Sequence, residues 1–516
     1  MSVYNHPVSE IYPVSHLHFP TEITEITPKN IPEFLDHHPL IISHHPYLGD
    51  LARIEYACYL LETEPPPLPD EVTQRIINPT LELIPVQWSG LPEHLSNLSH
   101  LPVHAKGFVI IYKEPDTDRI QVKTPSGHDL LALKLTSEET GSSQAAKEAG
   151  VSTGTIDDIL YAAIDRGLIL EPESRLVRDS SFSRSFFSDP EYFRAETFTL
   201  QWHITQTCDL NCRHCYDRSD REVLQLDQAI RILDDLYDFC RQHHVFTQVS
   251  FTGGNPVLYP YFYQLYQEAA DRGFLVAVLG NPVSRRQIEE MIAIQKPAFY
   301  QVSLEGLQEH NDYMRGTGHF NRVMNFLDLL KEMGVYSMVM LTLTYDNMGE
   351  VIELAKSLHG RVDLFTFNRL AMIGEGVDLV SVRPSDYSNF LERYIEASAA
   401  NPHMSLKDNF FNLVLHEKKK TYTGGCTGFG CGAAFNFVSL LADGEVHACR
   451  KLHSPIGNIA QQSFAQIYHS DAAKRYRAGS AACRECEIRP VCGGCLAVSQ
   501  GFGRDIFTEL DPYCFK

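Results

Sequence analysis

The stretch that decides the fold is TFTLQWHITQTCDLNCRHCY, residues 197–216. Its first half, TFTLQWHIT, reads as a β-strand. Its second half places Cys208, Cys212 and Cys215 in a Cys-x3-Cys-x2-Cys spacing on the loop after that strand. Three thiolates on one loop can hold three irons of a [4Fe–4S] cluster and leave the fourth iron open to a ligand. A structural zinc ion, by contrast, normally takes a fourth protein ligand.

Strands and helices alternate from residue 197 onward. The further strand candidates are 248–252, 274–280, 299–305, 336–344 and 363–367, with helical patterns such as 226–239 and 320–333 between them. Repeated βα units predict an α/β fold with a parallel sheet, and six strands rather than eight predict a partial (β/α)6 TIM-like barrel over 197–404. Barrels of this type hold their active sites at the C-terminal ends of the strands, where the three cysteines stand.

Taken with the strand ends that follow, the cysteine motif resembles the signature of radical S-adenosylmethionine (radical SAM) enzymes over about 197–400. The resemblance implies that Cys208, Cys212 and Cys215 hold a [4Fe–4S] cluster whose open iron chelates S-adenosylmethionine. It implies a cofactor pocket made by Gly253, Gly254, Asn255, Pro256, Asn281, Ser303, Glu305 and Arg315.

Individual members of this pocket carry separate expectations. Asn255 replaces the acid of the family's Gly-Gly-Glu-Pro stretch, but an amide carbonyl can still accept a hydrogen bond from the methionine ammonium. Arg315 matches the arginine that pairs the methionine carboxylate in relatives. Ser303 and Glu305 are expected to face the ribose and methionine groups.

A second group of cysteines lies between 426 and 516. It resembles the SPASM extension of radical SAM enzymes, which binds two auxiliary [4Fe–4S] clusters, although the Cys492–Cys495 spacing is one residue shorter than the common form. By order, the resemblance assigns the first cluster to Cys426, Cys431, Cys449 and Cys495, and the second to Cys483, Cys486, Cys492 and Cys514. Two zinc-ribbon sites are the alternative for eight cysteines, and the neighbouring radical SAM motif favours iron–sulfur. The total is three [4Fe–4S] clusters.

Residues 101–171 read as two strands, 106–113 and 118–124, followed by three helices, which is a winged-helix (α+β) pattern. The helix that would enter a DNA groove carries Asp157, Asp158 and Asp165 against Arg166, so phosphates would be repelled. The segment resembles the winged-helix element that docks leader peptides in the biosynthesis of ribosomally made, modified peptides. Such elements add a peptide strand to a sheet edge. A purely structural helper domain is the alternative.

The remaining segments complete the predicted domain organisation. Residues 1–100 form a mostly helical region with an amphipathic helix at 50–62, for which Asp50 is the predicted N-cap. Residues 172–196 have no clean period and are interpreted as a linker, and 405–516 form the cysteine-rich SPASM domain. HPYLGDLARIEYA (45–57) and the layout resemble maturases of selenobiotic-type peptides.

Composition excludes several classes of protein. The chain has 44 basic and 65 acidic side chains, a formal net charge of −21, which argues against a nucleic-acid or anionic-membrane partner. No apolar run approaches about 18 residues, and the N-terminus lacks a secretory signal pattern, so a cytoplasmic location is expected. In a reducing compartment, clustered cysteines more often bind metal or carry redox chemistry than form disulfides.

These resemblances imply an enzyme that modifies a precursor peptide. The expected reaction is hydrogen abstraction by a 5′-deoxyadenosyl radical, followed by sulfur or selenium attack to form a thioether or selenoether crosslink. A flavodoxin- or ferredoxin-like protein is the expected electron donor, and the catalytic acid or base is not predicted. Two alternatives remain: sulfatase-maturase-like formylglycine formation, and a winged-helix iron–sulfur regulator that binds DNA.

Overall fold

The computed structural model describes residues 7–115, 117–184 and 186–516. Six residues of the predicted 1–100 region, one of the predicted 101–171 domain and one of the predicted linker lie outside these ranges. The chain divides into two compact units, Met1–Glu173 and Ser174–Lys516. We call them the N-terminal unit and the C-terminal unit. No helix within the described ranges is long and apolar enough to cross a bilayer.

The N-terminal unit combines eight helices with five strands among its described residues. In chain order they are α1 (Val8–Ile11), α2 (Ile31–His37), α3 (Pro39–His44), α4 (Leu48–Thr63), β1 (Ile76–Ile77), β2 (Glu82–Ser89), α5 (Leu91–Ser96), β3 (Val103–Lys113), β4 (Ile120–Lys123), α6 (Gly127–Ser137), α7 (Ser142–Ala149), α8 (Thr153–Asp165) and β5 (Ile169–Leu170). Short 3-10 turns at Ser15–His18, Thr21–Glu25 and Pro28–Asn30 precede α2.

The predicted boundary between residues 100 and 101 falls inside a sheet. β2, β3 and β4 form an antiparallel sheet in that order, and β1 pairs with β5, so strands from both sides of the boundary are joined. The sequence analysis missed β2 because Pro85 stands in its middle, and proline is depleted in strands. β2 is an edge strand, where a proline is tolerated because no second neighbour needs its amide.

Asp50 does not cap a helix as predicted. α4 begins at Leu48, two residues earlier, and Asp50 lies buried in its first turn. Its carboxylate accepts a 2.6 Å hydrogen bond from the backbone amide of Gln87, which ties α4 to β2. A strand that the sequence did not reveal therefore supplies one partner of this acid, and Arg53 of α4 supplies another at 2.8 Å.

The three helices after the hairpin follow the predicted order. Ser152 caps α8, since its side chain accepts a hydrogen bond from the amide of Thr155. Gly150, with a φ of 68°, ends α7 in the left-handed conformation. The interpretation of this segment as a winged-helix domain stays a prediction.

The C-terminal unit has the alternating order that the sequence predicts. Its elements are β6 (Thr197–Thr205), α9 (Leu226–Gln242), β7 (Phe246–Gly253), α10 (Phe262–Asp271), β8 (Leu275–Leu279), α11 (Arg285–Ile294), β9 (Phe299–Ser303), α12 (Gln308–Arg315), α13 (His319–Glu332), β10 (Ser337–Leu343), α14 (Val351–Ser357), β11 (Leu364–Arg369), α15 (Pro384–Ala400), α16 (Phe411–Glu417), β12 (Phe437–Leu440), β13 (Glu445–His447), β14 (Pro455–Asn458), α17 (Phe464–Tyr468), α18 (Asp471–Ala478) and α19 (Leu496–Gly501).

The α/β fold class and its central parallel sheet are confirmed. β6 to β11 pair in chain order and every pair is parallel. The sheet continues past β6 into the cysteine-rich segment, because β12 pairs with β6 in parallel and β13 and β14 follow antiparallel. The predicted boundary at 404/405 therefore separates two parts of one nine-stranded sheet.

Side-chain alternation along the strands makes the inside of the partial barrel polar. In β6, Phe198, Leu200 and Trp202 are buried in the core, while Thr199 and Gln201 line a cavity. β7 repeats the pattern with core residues such as Val249 and cavity residues such as Gln248 and Ser250. Successive residues of a strand point to opposite faces, so the helices take the apolar face and the polar face is left for a ligand.

The segment predicted as a linker is part of the C-terminal unit's core. Leu176, Phe182 and Phe187 are buried in the same hydrophobic cluster as the barrel strands. Arg178 is also buried, and its Nη2 donates to the backbone carbonyl of Cys431 at 2.8 Å. The segment has no helical or strand periodicity because its chain is irregular. Its aromatic residues, Phe182 and Phe187, were the sequence signal that it packs into a core.

Candidate functional site

The first three cysteines lie on an irregular loop after β6, at the C-terminal end of the sheet. The loop after β7 packs directly against it: the amides of Gly254 and Asn255 donate to the carbonyls of Thr205 and Thr207, both at 2.8 Å. A Cβ at Gly253 or Gly254 would collide with these same carbonyls, and Gly253 has a φ of 130°. The glycines are therefore required for the close approach of the two loops.

A polar network that the sequence analysis did not predict orients this loop. Asp209 Oδ1 accepts hydrogen bonds from Asn255 Nδ2 at 3.0 Å and from Asn281 Nδ2 at 2.6 Å. Asn281 Nδ2 also lies 3.6 Å from Cys208 Sγ. Asn255 Oδ1 is buried and has no hydrogen-bond partner among the described residues. Asp209 directly follows the first cysteine, and no motif in the sequence marks it as a functional residue.

Arg315 and Glu305 form a buried pair beside the cysteines. Arg315 Nε and Nη2 donate to Glu305 Oε1 at 2.9 and 2.6 Å, and Nη1 lies 3.7 Å from Cys212 Sγ. His214 Nε2 lies 3.1 Å from the same carboxylate oxygen. Burial alone would raise the pKa of Glu305, but His214 and Arg315 together hold it well below its usual range. The Arg315 fork, expected to pair a ligand carboxylate, is engaged by Glu305.

A cavity of about 390 Å³ opens at this end of the barrel. Of the predicted pocket residues it is lined by Gly253, Gly254, Asn281, Ser303 and Arg315, together with Cys208, Cys212 and Cys215. Asn255, Pro256 and Glu305 are buried but are not part of its lining. Three thiols at one end, a glycine-lined wall and an unpartnered amide oxygen nearby fit an iron–sulfur cluster and a zwitterionic ligand.

The structure brings the eight C-terminal cysteines together as two sets. Cys426, Cys431, Cys449 and Cys495 line a second cavity of about 470 Å³ inside the barrel. Burial, then Asp511 and the thiol of Cys431, raise the pKa of Cys495 to about 12. Burial, then the thiols of Cys495 and Cys426, raise that of Cys449 to about 11. The other set follows the same pattern: burial and then the thiols of Cys486 and Cys514 raise the pKa of Cys483 to about 11.

The four cysteines of the barrel cavity are those that the resemblance assigns to one cluster, and the role of all eight as cluster ligands stays a prediction. Thiols with raised pKa values are protonated at neutral pH, so a bound metal must displace their protons. Within the described residues, no group of three or more His, Cys, Asp or Glu side chains converges on a single-ion site.

The two cavities share a wall. Besides Leu279 and Ala371, this shared wall is formed by Gln301, Asn368, Arg369, Arg450 and Lys451. Burial, with Arg450 and Lys407 close by, lowers the pKa of Lys451 to about 8. The sequence analysis proposed none of these residues, because they come from three distant segments and belong to no motif.

Two family models match the chain. The radical SAM superfamily matches residues 202–358, and the SPASM iron–sulfur cluster-binding domain matches residues 431–495. The first range contains the three-cysteine loop and the second contains six of the eight C-terminal cysteines. The chain is a radical SAM enzyme. Its C-terminal unit therefore contains the domain that binds a [4Fe–4S] cluster and S-adenosylmethionine.

Curated relatives of this radical SAM enzyme include proteins with different names. An AdoMet-dependent heme synthase of Methanosarcina barkeri is 27% identical and aligns with 61% of this chain and 95% of its own. The mycofactocin maturase MftC of Mycobacterium tuberculosis is 26% identical over 61% of this chain and 82% of its own. AlbA of Bacillus subtilis, an antilisterial bacteriocin subtilosin biosynthesis protein, is 24% identical over 57% of this chain and 66% of its own.

One solved structure extends the likeness of fold. SuiB of Streptococcus suis, bound to its precursor peptide SuiA, superimposes with a TM-score of 0.52 at 16% identity. The match covers 79% of this chain and 96% of that one. The C-terminal unit spans residues 174–516, about two thirds of the chain, so the matched fold reaches into the N-terminal unit.

Removing Arg315 from the radical SAM site should destabilise the protein as well as weaken cofactor binding. We expect Arg315→Met to lower the free energy of unfolding by about 3–5 kcal/mol, because Glu305 is left buried without its main partner. Asn255→Ala removes one hydrogen bond and should cost about 1–2 kcal/mol. Chemical denaturation of anaerobic protein and calorimetric titration with S-adenosylmethionine measure both effects.

A double variant separates the unpaired charge from other damage. If the penalty comes from the Glu305 carboxylate, Arg315→Met combined with Glu305→Gln should be more stable than Arg315→Met alone. If the stability losses of the two single variants simply add in the double variant, Arg315 and Glu305 are not coupled. That result would contradict a stabilising ion pair between them.

Proposed function

We propose that this radical SAM enzyme modifies a ribosomally made precursor peptide and forms a thioether, or with selenocysteine a selenoether, crosslink. The observation that carries the proposal is an unpaired strand edge in the N-terminal unit. β2 pairs with β3 over Val103–Ile111, whereas β4 pairs only with Ile110–Lys113. On the β4 side, residues 103–109 have no ladder partner among the described residues.

This free edge suits an extended leader peptide. Val103 is 65% exposed and Phe108 is 40% exposed, so the half-strand offers apolar side chains as well as main-chain groups. Addition of a strand to an exposed sheet edge is a recurring mode of peptide recognition. AlbA is named a bacteriocin biosynthesis protein, MftC is named a maturase, and SuiB was solved with a precursor peptide, which supports the same substrate class.

The charge of the neighbouring helix disfavours the DNA-binding alternative. Asp157 of α8 is buried and accepts a hydrogen bond from Ser142 Oγ. Arg166, the basic residue at the end of α8, is paired with Asp129. The helix therefore has no free cation with which to release counterions from a duplex.

The C-terminal unit supplies what an oxidative crosslink needs. When bound, the cofactor at Cys208, Cys212 and Cys215 supplies a 5′-deoxyadenosyl radical that takes a hydrogen atom from carbon. Joining that carbon to a thiol sulfur also releases the thiol proton and one electron. The balance therefore requires a one-electron acceptor, and the set Cys426, Cys431, Cys449 and Cys495 in the adjoining cavity would hold one. We propose a flavodoxin- or ferredoxin-like protein as the donor of the priming electron.

The relatives named heme synthases suggest a second candidate, in which the substrate is a tetrapyrrole. The identity of 27% over 95% of such a relative favours it. Only 61% of this chain takes part in that alignment, which is less than the share of the C-terminal unit. MftC aligns with the same 61% of this chain, so coverage does not separate the two candidates. The unpaired half-strand of β3 gives the N-terminal unit a role in the peptide candidate.

A mass-spectrometric assay tests the proposal. The anaerobically reconstituted enzyme should convert a short cysteine-containing peptide encoded beside its gene to a product lighter by two hydrogen atoms. That product should have lost one thiol that reacts with iodoacetamide. An aldehyde that reacts with a hydrazide would indicate formylglycine instead. Turnover of an iron porphyrin without any change in the peptide would favour the second candidate.

A further inference from the structure

The wall shared by the two cavities is positively charged. Lys407 lines the barrel cavity, and Arg450 and Lys451 line both that cavity and the cofactor cavity. Within the part of the chain that the structure describes, no salt bridge joins any of the three to a carboxylate. Asp408 lines the barrel cavity and attracts Lys407, but it is paired with Arg369. A buried or half-buried cation without an anionic partner is unfavourable, so this arrangement calls for an anion that binds in the cavity.

Arg369 adds an unused donor to the same wall. Its Nε donates to Asp408 at 2.8 Å and its Nη1 donates to Asp511 at 2.9 Å. Its Nη2 is buried and has no hydrogen-bond partner among the described residues, although the side chain is only 3% exposed. The two aspartates hold the guanidinium in place at this wall.

Thiolates of the cysteine set in the barrel cavity would neutralise only part of the positive charge of Lys407, Arg450 and Lys451. Thiolates on Cys426 and Cys449 would attract Lys407 and Lys451 and offset part of it. Arg450 and Lys451, however, also face the cofactor cavity, whose lining includes none of the eight C-terminal cysteines. The cations therefore extend from the auxiliary cysteines toward the place where the substrate must meet the cofactor.

We infer that Lys407, Arg450 and Lys451, beside the fixed guanidinium of Arg369, bind a carboxylate of the substrate, an acidic side chain close to the residue that reacts. This inference rests on the proposed peptide substrate and adds a sequence requirement to it. A carboxylate in this wall is desolvated and receives charge-assisted hydrogen bonds, so it fixes the register of the reacting segment between the two cavities.

Capped tripeptides test the charge requirement on the unmodified enzyme. The probes are acetyl-Gly-Glu-Gly-amide, its Gln counterpart, and acetyl-Gly-Gly-Gly with a free carboxyl end, titrated by calorimetry into full-length reconstituted protein with S-adenosylmethionine. The Glu peptide should bind about 10–100-fold more tightly than the Gln peptide, the factor expected for a charged hydrogen bond in a dry site. A comparable gain for the free carboxyl end would identify a C-terminal carboxylate as the source.

Three variants locate the effect. Lys407→Gln and Arg450→Gln should each remove most of the Glu-over-Gln preference, while the exposed Lys420 changed to Gln should leave it intact. Iron content and the S-adenosylmethionine affinity of each variant report whether the site is still assembled. The Glu and Gln peptides are compared on the unmodified enzyme. That comparison therefore tests the proposal even if a variant fails to fold.

The outcomes separate this inference from the proposed function. Equal binding of the Glu and Gln peptides overturns the carboxylate requirement and leaves the peptide substrate standing. Binding of glutarate but of no peptide supports the charged wall and overturns the peptide function. A shift in the auxiliary-cluster potential of Lys407→Gln, with an unchanged Glu preference, would assign the lysine to the cluster and overturn its role in binding.

Discussion

Replacing Cys208, Cys212 and Cys215 together by alanine should remove about four of about twelve irons and abolish cleavage of S-adenosylmethionine. Rates should fall to the uncatalysed background, because the ligand-binding iron is lost with its thiolates. The other irons should stay, since the remaining eight cysteines form two sets that share no member with this loop. Iron analysis and detection of 5′-deoxyadenosine measure the two effects.

Cys58→Ala provides the matched control for that triple variant. Cys58 lies half-buried on α4 of the N-terminal unit, away from every cysteine set in sequence. It should change neither iron content nor cofactor cleavage. Loss of all irons in the triple variant would show that the three clusters assemble as one unit, and zinc in the C-terminal cysteines would contradict the auxiliary clusters.

Deleting the N-terminal unit should separate cofactor chemistry from peptide turnover. A chain that begins at Ser174 should still cleave S-adenosylmethionine without substrate, since every residue of the cofactor cavity lies in the C-terminal unit. Its kcat/KM for a full-length precursor should fall by about 100-fold, equivalent to about 2.8 kcal/mol of lost leader binding. Anaerobic kinetics with the precursor and without it give both numbers.

The position of the cut matters for this experiment. A start after residue 190 would remove Leu176, Phe182 and Phe187 from the core and Arg178 from the carbonyl of Cys431. Such a chain would fail because it misfolds, whatever the role of the N-terminal unit. The cut between Glu173 and Ser174 leaves this packing complete.

A precursor without its leader completes the comparison. If the leader binds the N-terminal unit, removing either one should have the same effect, and removing both should add little. Additive losses would mean that the leader binds elsewhere. Tight binding of duplex DNA by the N-terminal unit, with no binding of the precursor, would favour the regulator alternative.

The barrel strands were predictable because their signal is local. The segment 197–205 was predicted to the residue, and the five strands after it lie within three residues of their observed ends. An apolar run bounded by turn residues predicts a strand from its own residues, independently of the elements that pack around it. The edge strand β2 was not predictable, because Pro85 weakens the local β signal and the strand is stabilised by its pairing with β3.

The functional site likewise contains some residues with a local sequence signal and others that only the tertiary structure brings together. The sequence by itself indicated the three-cysteine loop and the glycine-rich turn, because each places its groups within a few residues of one another. The eight later cysteines are spread over 426–514, and their resemblance to the SPASM extension indicated their role. Only the tertiary structure decided that Glu305 occupies the fork of Arg315, and that Arg369, Lys407, Arg450 and Lys451 meet around the barrel cavity. These residues come from strands and loops far apart in the chain. Which charges become neighbours depends on the curvature and register of the whole sheet, and no local pattern encodes that.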